Sequence, residues 1–101
     1  MSEPVYLIAQ IDAADLPRYR EEYGKHVVPL IVEHGGALLV GSAEAEILEG
    51  TWTGNWTVVI RFPNREAARG WYESAEYAPL KRARIETLTR WGNLVLVPGR
   101  S

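Results

Sequence analysis

Histidine, arginine and tyrosine are the residues in this chain whose chemistry is worth pursuing first. Histidine titrates near neutral pH, so His26 and His34 are the natural suspects for proton transfer. His34 falls on the apolar stripe of a helix, just before Gly35-Gly36, where the helix dipole favours a histidine for structural reasons alone. His26 sits about 80° from the stripe centre on a helical projection, at a flank that can reach a cleft edge. His26 is therefore the candidate for proton transfer. The two do not make a metal site, since eight helical residues separate them by roughly 12 Å. The chain has no cysteine, which excludes disulfides and thiolate ligands, and no paired-histidine spacing is present. No metal and no organic cofactor is expected. Ser2, Ser42, Ser74 and Ser101 lack the G-x-S-x-G turn of an activated nucleophile. Gly35-Gly36 follows a helix, whereas a phosphate-binding loop precedes one.

Cations and aromatics carry more. Arg84 lies in the middle of an inward stripe formed by Tyr77, Leu80, Leu88 and Trp91, with Arg82, Glu86 and Arg90 on the outward side. A guanidinium on an inward face is costly unless it is paired and hydrogen-bonded. It is either one half of a structural ion pair, with Asp12 or a glutamate, or the receptor for a carboxylate or enolate. Arg61, among Thr57 and Val59, is read as a second inward-leaning cation. Tyr19 and Tyr23 share one helix stripe, one turn apart, and Trp71 and Tyr72 flank the inward face of a second helix. Such side chains pack a core equally well, but each adds a polar tip that seeks a partner when buried. Together they are suited to lining a flat apolar cavity for a ring-shaped ligand. Trp52, in a loop bounded by glycines, reads as an interface anchor or a lid.

These side chains need elements to hold them. Val5–Ile11 is an apolar run ended by aspartates and reads as a buried strand. Asp15 caps a helix with Pro17 in its first turn, and Leu16, Tyr19, Tyr23, Val27, Leu30, Ile31 and His34 form its inward stripe. Pro29 should kink or split that helix near Val28. Gly35-Gly36 stops it. Ala37–Ser42 is a short strand, Gly50–Asn55 a loop, and Trp56–Phe62 the strongest strand in the chain. Asn64 caps a helix beginning at Arg65. Ser74 caps a second piece expected from about Ala75 to Thr89. Asn93–Val97 is the last strand, stopped by Pro98-Gly99.

The chain has 101 residues, 47% of them hydrophobic, which suits a single domain, 1–101, with a modest core. Its formal charge of -2 disfavours nucleic acid and anionic membrane as partners. WTVVIRF also lacks the basic-glycine-aromatic pattern that stacks bases. No apolar run approaches the roughly 20 residues of a membrane span, and MSEPVYLIAQ lacks a basic start and cleavage site, so a cytoplasmic protein is expected. The order strand-helix-strand, twice, implies an α+β fold. It is the ferredoxin-like βαββαβ sandwich, with a four-stranded antiparallel sheet and both helical layers on one face. The strands are apolar on both faces, so the uncovered face calls for a second copy of the chain stacked sheet to sheet.

DLPRYREEYGKHVVPLIVEHGG, the EG before Thr51, FPNREAARGWYESAEY and the closing GNLVLVPG together resemble a family of unassigned activity, the domain of unknown function numbered thirteen-thirty. The resemblance covers nearly the whole chain, and Phe62 to Tyr77 is its most specific stretch. It implies the dimeric α+β barrel group, whose members include cofactor-independent monooxygenases, isomerases, polyketide cyclases and haem-degrading or haem-binding enzymes. It also places an arginine seven residues after the tyrosine of E-Y, where Arg84 stands. The expectation is a cofactor-independent enzyme acting on an aromatic or conjugated anion, with Arg84 holding the anion and Tyr19, Tyr23, Arg61, Trp71 and Tyr72 completing the site. The alternative is a non-catalytic ligand-binding or regulatory dimer.

Overall fold

Alternation along the strands decides which side of the sheet is buried. The computed structural model describes residues 3–100. Met1, Ser2 and Ser101 lie outside the described residues, and with them two of the serines set aside above. Strands β1 (Val5–Ala13), β2 (Ala37–Ser42), β3 (Trp56–Phe62) and β4 (Thr89–Pro98) form an antiparallel sheet in the order β2-β3-β1-β4. Between β1 and β2 run α1 (Leu16–Tyr19), a wide π-helical turn (Arg20–Gly24) and α2 (Lys25–Glu33). Between β3 and β4 run α3 (Arg65–Tyr72), α4 (Ala78–Ala83) and a second π-helical turn (Arg84–Leu88). This is the ferredoxin-like order expected from the sequence.

Val5, Leu7, Ala9, Ile11 and Ala13 put one face of β1 into the core, against Tyr19, Tyr23, Val27 and Ile31 of the first helical layer and Ala68, Trp71 and Tyr77 of the second. Caps form at α1 and α3 where the sequence places them. The Asp15 side chain accepts from the Arg18 N–H at 3.1 Å and that of Asn64 from the Ala67 N–H at 2.8 Å. Ser74 Oγ accepts from the Tyr77 N–H at 3.2 Å, but within a turn ahead of α4, which begins at Ala78 rather than at the expected Ala75 and has no side-chain cap. Gly35 takes φ 83°, the left-handed conformation that closes α2.

Among the described residues no helix lies over the other sheet face. Val40, Val59, Ile8 and Val95 stand directly opposite one another across all four strands, in one apolar row. Thr57, Gln10 and Asn93 flank it on one side, and Arg61, Tyr6 and Val97 on the other.

Two further expectations are corrected. Pro29 does not break its helix, which runs through it to Glu33. The ring forfeits one bond, to the Lys25 carbonyl, and the irregular turn lies just before that residue. The last helical piece ends at Leu88, within a residue of the expected end, but the strand after it starts early. Its final turn widens at Arg84–Leu88, and β4 begins at Thr89, four residues earlier than expected, so Trp91 belongs to the strand opposite Asp12. Tertiary pairing decides this. Arg90 donates to both carboxylate oxygens of Asp12, at 2.8 and 3.2 Å, the Ala14 N–H donates to the Leu88 carbonyl, and Thr89 Oγ1 donates to the Arg84 carbonyl. β1 correspondingly runs on through Asp12 to Ala13.

Candidate functional site

A cavity of about 520 Å³ opens between the first helical layer and the sheet. Leu7, Ala9 and Ile11 of β1, with Val58 and Ile60 of β3, give it an aliphatic floor, and Val27 and Ile31 of α2 face them. Tyr19, Tyr23, Trp56 and Trp71 supply aromatic walls, with Tyr19 and Tyr23 ring centroids 5.1 Å apart. Exposed lining residues mark the mouth: Pro17, Arg20, Glu21 and Lys25 on the helical side, Leu38 and Gly41 on β2. Arg20 stacks over Trp56 at 5.3 Å, and Glu21 pairs with Lys25. The wide turn Arg20–Gly24 forms part of this rim, a frequent setting for such turns.

Arg84 is the one charged side chain in the core of the described residues, at 4% exposure, and it lines this cavity. No carboxylate among the described residues comes within salt-bridge distance of it, and its Nε has no hydrogen-bond partner. The wide turn at Arg84–Leu88 places it, and Gly92 makes room: a Cβ there would lie 3.3 Å from Nη1 of Arg84 and 3.0 Å from Cδ1 of Ile11. Burial pulls its pKa down, but the neighbouring phenols of Tyr77 and Tyr23 more than offset this, and the net shift is upward. The guanidinium stays charged.

Tyr19 and Tyr23 stay neutral. Burial pushes Tyr19 far above the ordinary tyrosine range, with Arg84 opposing in part. Tyr23 is also raised well above it, by burial first and then by Tyr77 and Tyr19. Tyr23 and Tyr77 share a buried hydrogen bond of 2.6 Å. The cavity therefore combines one fixed cation, phenols that keep their protons, and apolar rings. It is suited to an acceptor such as a carboxylate or enolate oxygen on a flat apolar body.

Of the site residues expected from sequence, Arg84, Tyr19, Tyr23 and Trp71 come together here. Arg61 does not: it is exposed on the open sheet face, because it pairs with Tyr6 and Ala37 on the alternate side of β3 from Ile60. Tyr72 does not either. It is 36% exposed, with Lys81 Nζ 4.2 Å from its ring centroid, and borders a smaller groove beside β4. His26 is exposed and does not line the cavity, while His34 Nδ1 lies 2.9 Å from the Leu30 carbonyl at the end of α2. Trp52 is 43% exposed and donates to Thr57 Oγ1 at 3.3 Å. Sequence reasoning missed Trp56 as a lining residue and Tyr77 as the buried partner behind Tyr23. Tyr77 precedes Arg84 by seven residues on the same inward stripe, which is the signal that could have found it. No group of three or more His, Asp or Glu among the described residues is arranged to hold a metal ion.

A βαββαβ sandwich with a cavity between helices and sheet places the molecule among α+β barrel-type folds. The chain belongs to the family described as Domain of unknown function (DUF1330), which matches residues 4–100. A crystal structure of a protein of unknown function from Rhodopseudomonas palustris is similar, with a TM-score of 0.80 at 12% identity, over 100% of this chain and 85% of that one. A protein from Bacteroides thetaiotaomicron described as antibiotic biosynthesis monooxygenase-like has a TM-score of 0.61 at 16% identity, over 98% of this chain and 90% of its own. A Pseudomonas aeruginosa protein has a TM-score of 0.59 at 16% identity, over 100% and 98%. No curated protein sequence matches the chain. At these identities the likeness concerns the fold. No helix among the described residues is long and apolar enough to cross a membrane.

Proposed function

We propose that the protein binds a small aromatic or conjugated anion in the cavity beneath α1 and α2, with its acidic oxygens on Arg84. One observation carries this: a buried guanidinium with no carboxylate partner among the described residues, opening on an aromatic-walled cavity. Such a charge is expensive to bury alone, and a bound anion would supply the missing partner. Binding is the primary activity. Any reaction here would be one whose developing oxyanion Arg84 stabilises, because the phenols hold their protons and the lining carboxylate, Glu21, sits at the mouth. That reading leaves room for a cofactor-independent reaction without requiring one.

Calorimetric titration with 2-naphthoate and with its amide tests the proposal. The wild-type protein should bind the carboxylate and largely ignore the amide. Arg84→Met should abolish naphthoate binding while changing stability by no more than about 1 kcal/mol. A loss of about 3–5 kcal/mol would instead mark an internal ion pair. Retained naphthoate affinity in Arg84→Met would overturn the reading.

We also propose a homodimer packed sheet to sheet. The row Val40–Val59–Ile8–Val95 supports it: Val95 is 53% exposed and Val40 39%, although both belong to a continuous apolar strip. Light scattering at micromolar concentration should return twice the chain mass, and a monomer would sink the idea.

A further inference from the structure

The 2.6 Å bond between Tyr23 and Tyr77 leaves one phenolic proton to be accounted for. Each hydroxyl has a single proton, so one ring donates to the other and the acceptor keeps its own proton free. The surroundings of the two rings differ. Tyr77 is 0% exposed and lies outside the cavity lining, packed against Trp71 at 4.3 Å between ring centroids. Tyr23 lines the cavity, as Arg84 does. A free proton on Tyr77 would point into packed rings, whereas a free proton on Tyr23 can point into the cavity. Arg84, adjacent to Tyr77 and Tyr23, is a donor only, so its charge favours phenol oxygens turned toward it.

We infer that Tyr77 donates to Tyr23, and that Tyr23 thereby presents its own O–H to the cavity as a second donor beside Arg84. Tyr23 is then a direct ligand contact and Tyr77 a positioning residue acting through it. The inference rests on the anion-binding reading above and narrows the ligand class. An oxygen facing two donors and a fixed positive charge is bound best when it is anionic and need donate nothing, as in a carboxylate or the conjugate base of an acidic enol or phenol. A hydroxyl that must itself donate finds no partner in this pair. Hydrogen bonds polarise one another along a chain, so a proton donated into Tyr23 also strengthens the bond that Tyr23 makes to the ligand.

Two probes and three variants test this. Tyr23→Phe should weaken 2-naphthoate binding about tenfold, the usual effect of losing one hydrogen bond to a charged group. Its weak affinity for 2-naphthamide, a neutral acceptor, should fall by a smaller factor, whereas general loosening of the fold would weaken both probes alike. Tyr77→Phe should weaken naphthoate binding by a smaller factor, roughly threefold, with the amide affected less than the carboxylate. Either single change strands a buried hydroxyl. The double variant Tyr23→Phe/Tyr77→Phe removes both hydroxyls together, leaves no orphaned group, and should show the same tenfold loss if a single variant does not fold. On the wild-type protein, the absorbance of bound 7-hydroxycoumarin should report its anion at a pH where the free dye is mostly neutral. Wild-type naphthoate affinity in folded Tyr23→Phe, or in the double variant, would overturn the inference. So would a bound dye that stays neutral. If Arg84→Met abolishes binding while Tyr23→Phe does not, the anion reading stands and this inference alone fails. If Arg84→Met binds as the wild type does, both fall.

Discussion

The helix-covered face of the sheet is packed to two different densities. Beneath α3, Phe62 stacks on Trp71 at 5.8 Å between ring centroids, and Trp71 meets Tyr77 at 4.3 Å. All three are at most 1% exposed. Beneath α1 and α2, by contrast, the layers stand apart over about 520 Å³. The same fold thus anchors itself with one patch and leaves the other hollow. Aromatic area buried beneath α3 supplies stability that the hollow side forgoes, and the charge of Arg84 lies on the hollow side.

The largest effect should come from breaking the dense patch. Phe62→Ala removes a fully buried ring and should cost about 3–5 kcal/mol in a denaturant melt. A cost below about 1 kcal/mol would mean that the patch is not the anchor. Filling the hollow should do much less to the fold. Ala9 is buried on the cavity floor, and Ala9→Leu adds bulk toward open space. Its stability should stay within about 1 kcal/mol of wild type, where a packed site would lose about 1–3 kcal/mol. Naphthoate affinity should nevertheless fall at least tenfold, roughly the weight of one lost polar contact. A well-folded Ala9→Leu that still binds would place the ligand elsewhere.

The smallest effect concerns pH. Tyr19 and Tyr23 have folded pKa values raised above the ordinary 10.0, so both states keep these protons below pH 10 and neither residue makes stability pH-dependent there. Above that value the unfolded chain loses them first, and stability drains away as pH rises toward the folded values. Their part of the melting profile should therefore be flat from neutral pH to about pH 10 and fall beyond it. Tyr19→Phe should flatten the alkaline fall. A fall that is unchanged in this variant would show that the ring is not held neutral by burial.

Much of this molecule was legible in its residues because local chemistry and tertiary need agree. Asp15 and Asn64 cap where capping residues should, and the stripe through Tyr19, Tyr23, Val27 and Ile31 is buried along its length. Arg84 stood out because a charge interrupts an otherwise inward stripe. The failures share a cause. Arg61 is exposed because register sends alternate residues of β3 to opposite faces, and periodicity alone does not say which face the helices cover. Tyr72 is one residue from Trp71, and about 100° of helical rotation separates a buried ring from a half-open one.

By itself the sequence determined the order of elements, most of their ends, and the inward position of Arg84. Those follow from caps, glycines and hydrophobic period, which act over a few residues. Tertiary structure alone decided that helix gives way to strand at Thr89, where pairing with β1 and the Arg90–Asp12 contact outweigh local helical preference. It alone brought Tyr23 to Tyr77 across 54 positions of sequence and left Arg84 without a carboxylate among the described residues. Contacts between residues so far apart depend on how the layers stack, and no local pattern encodes the space left between them.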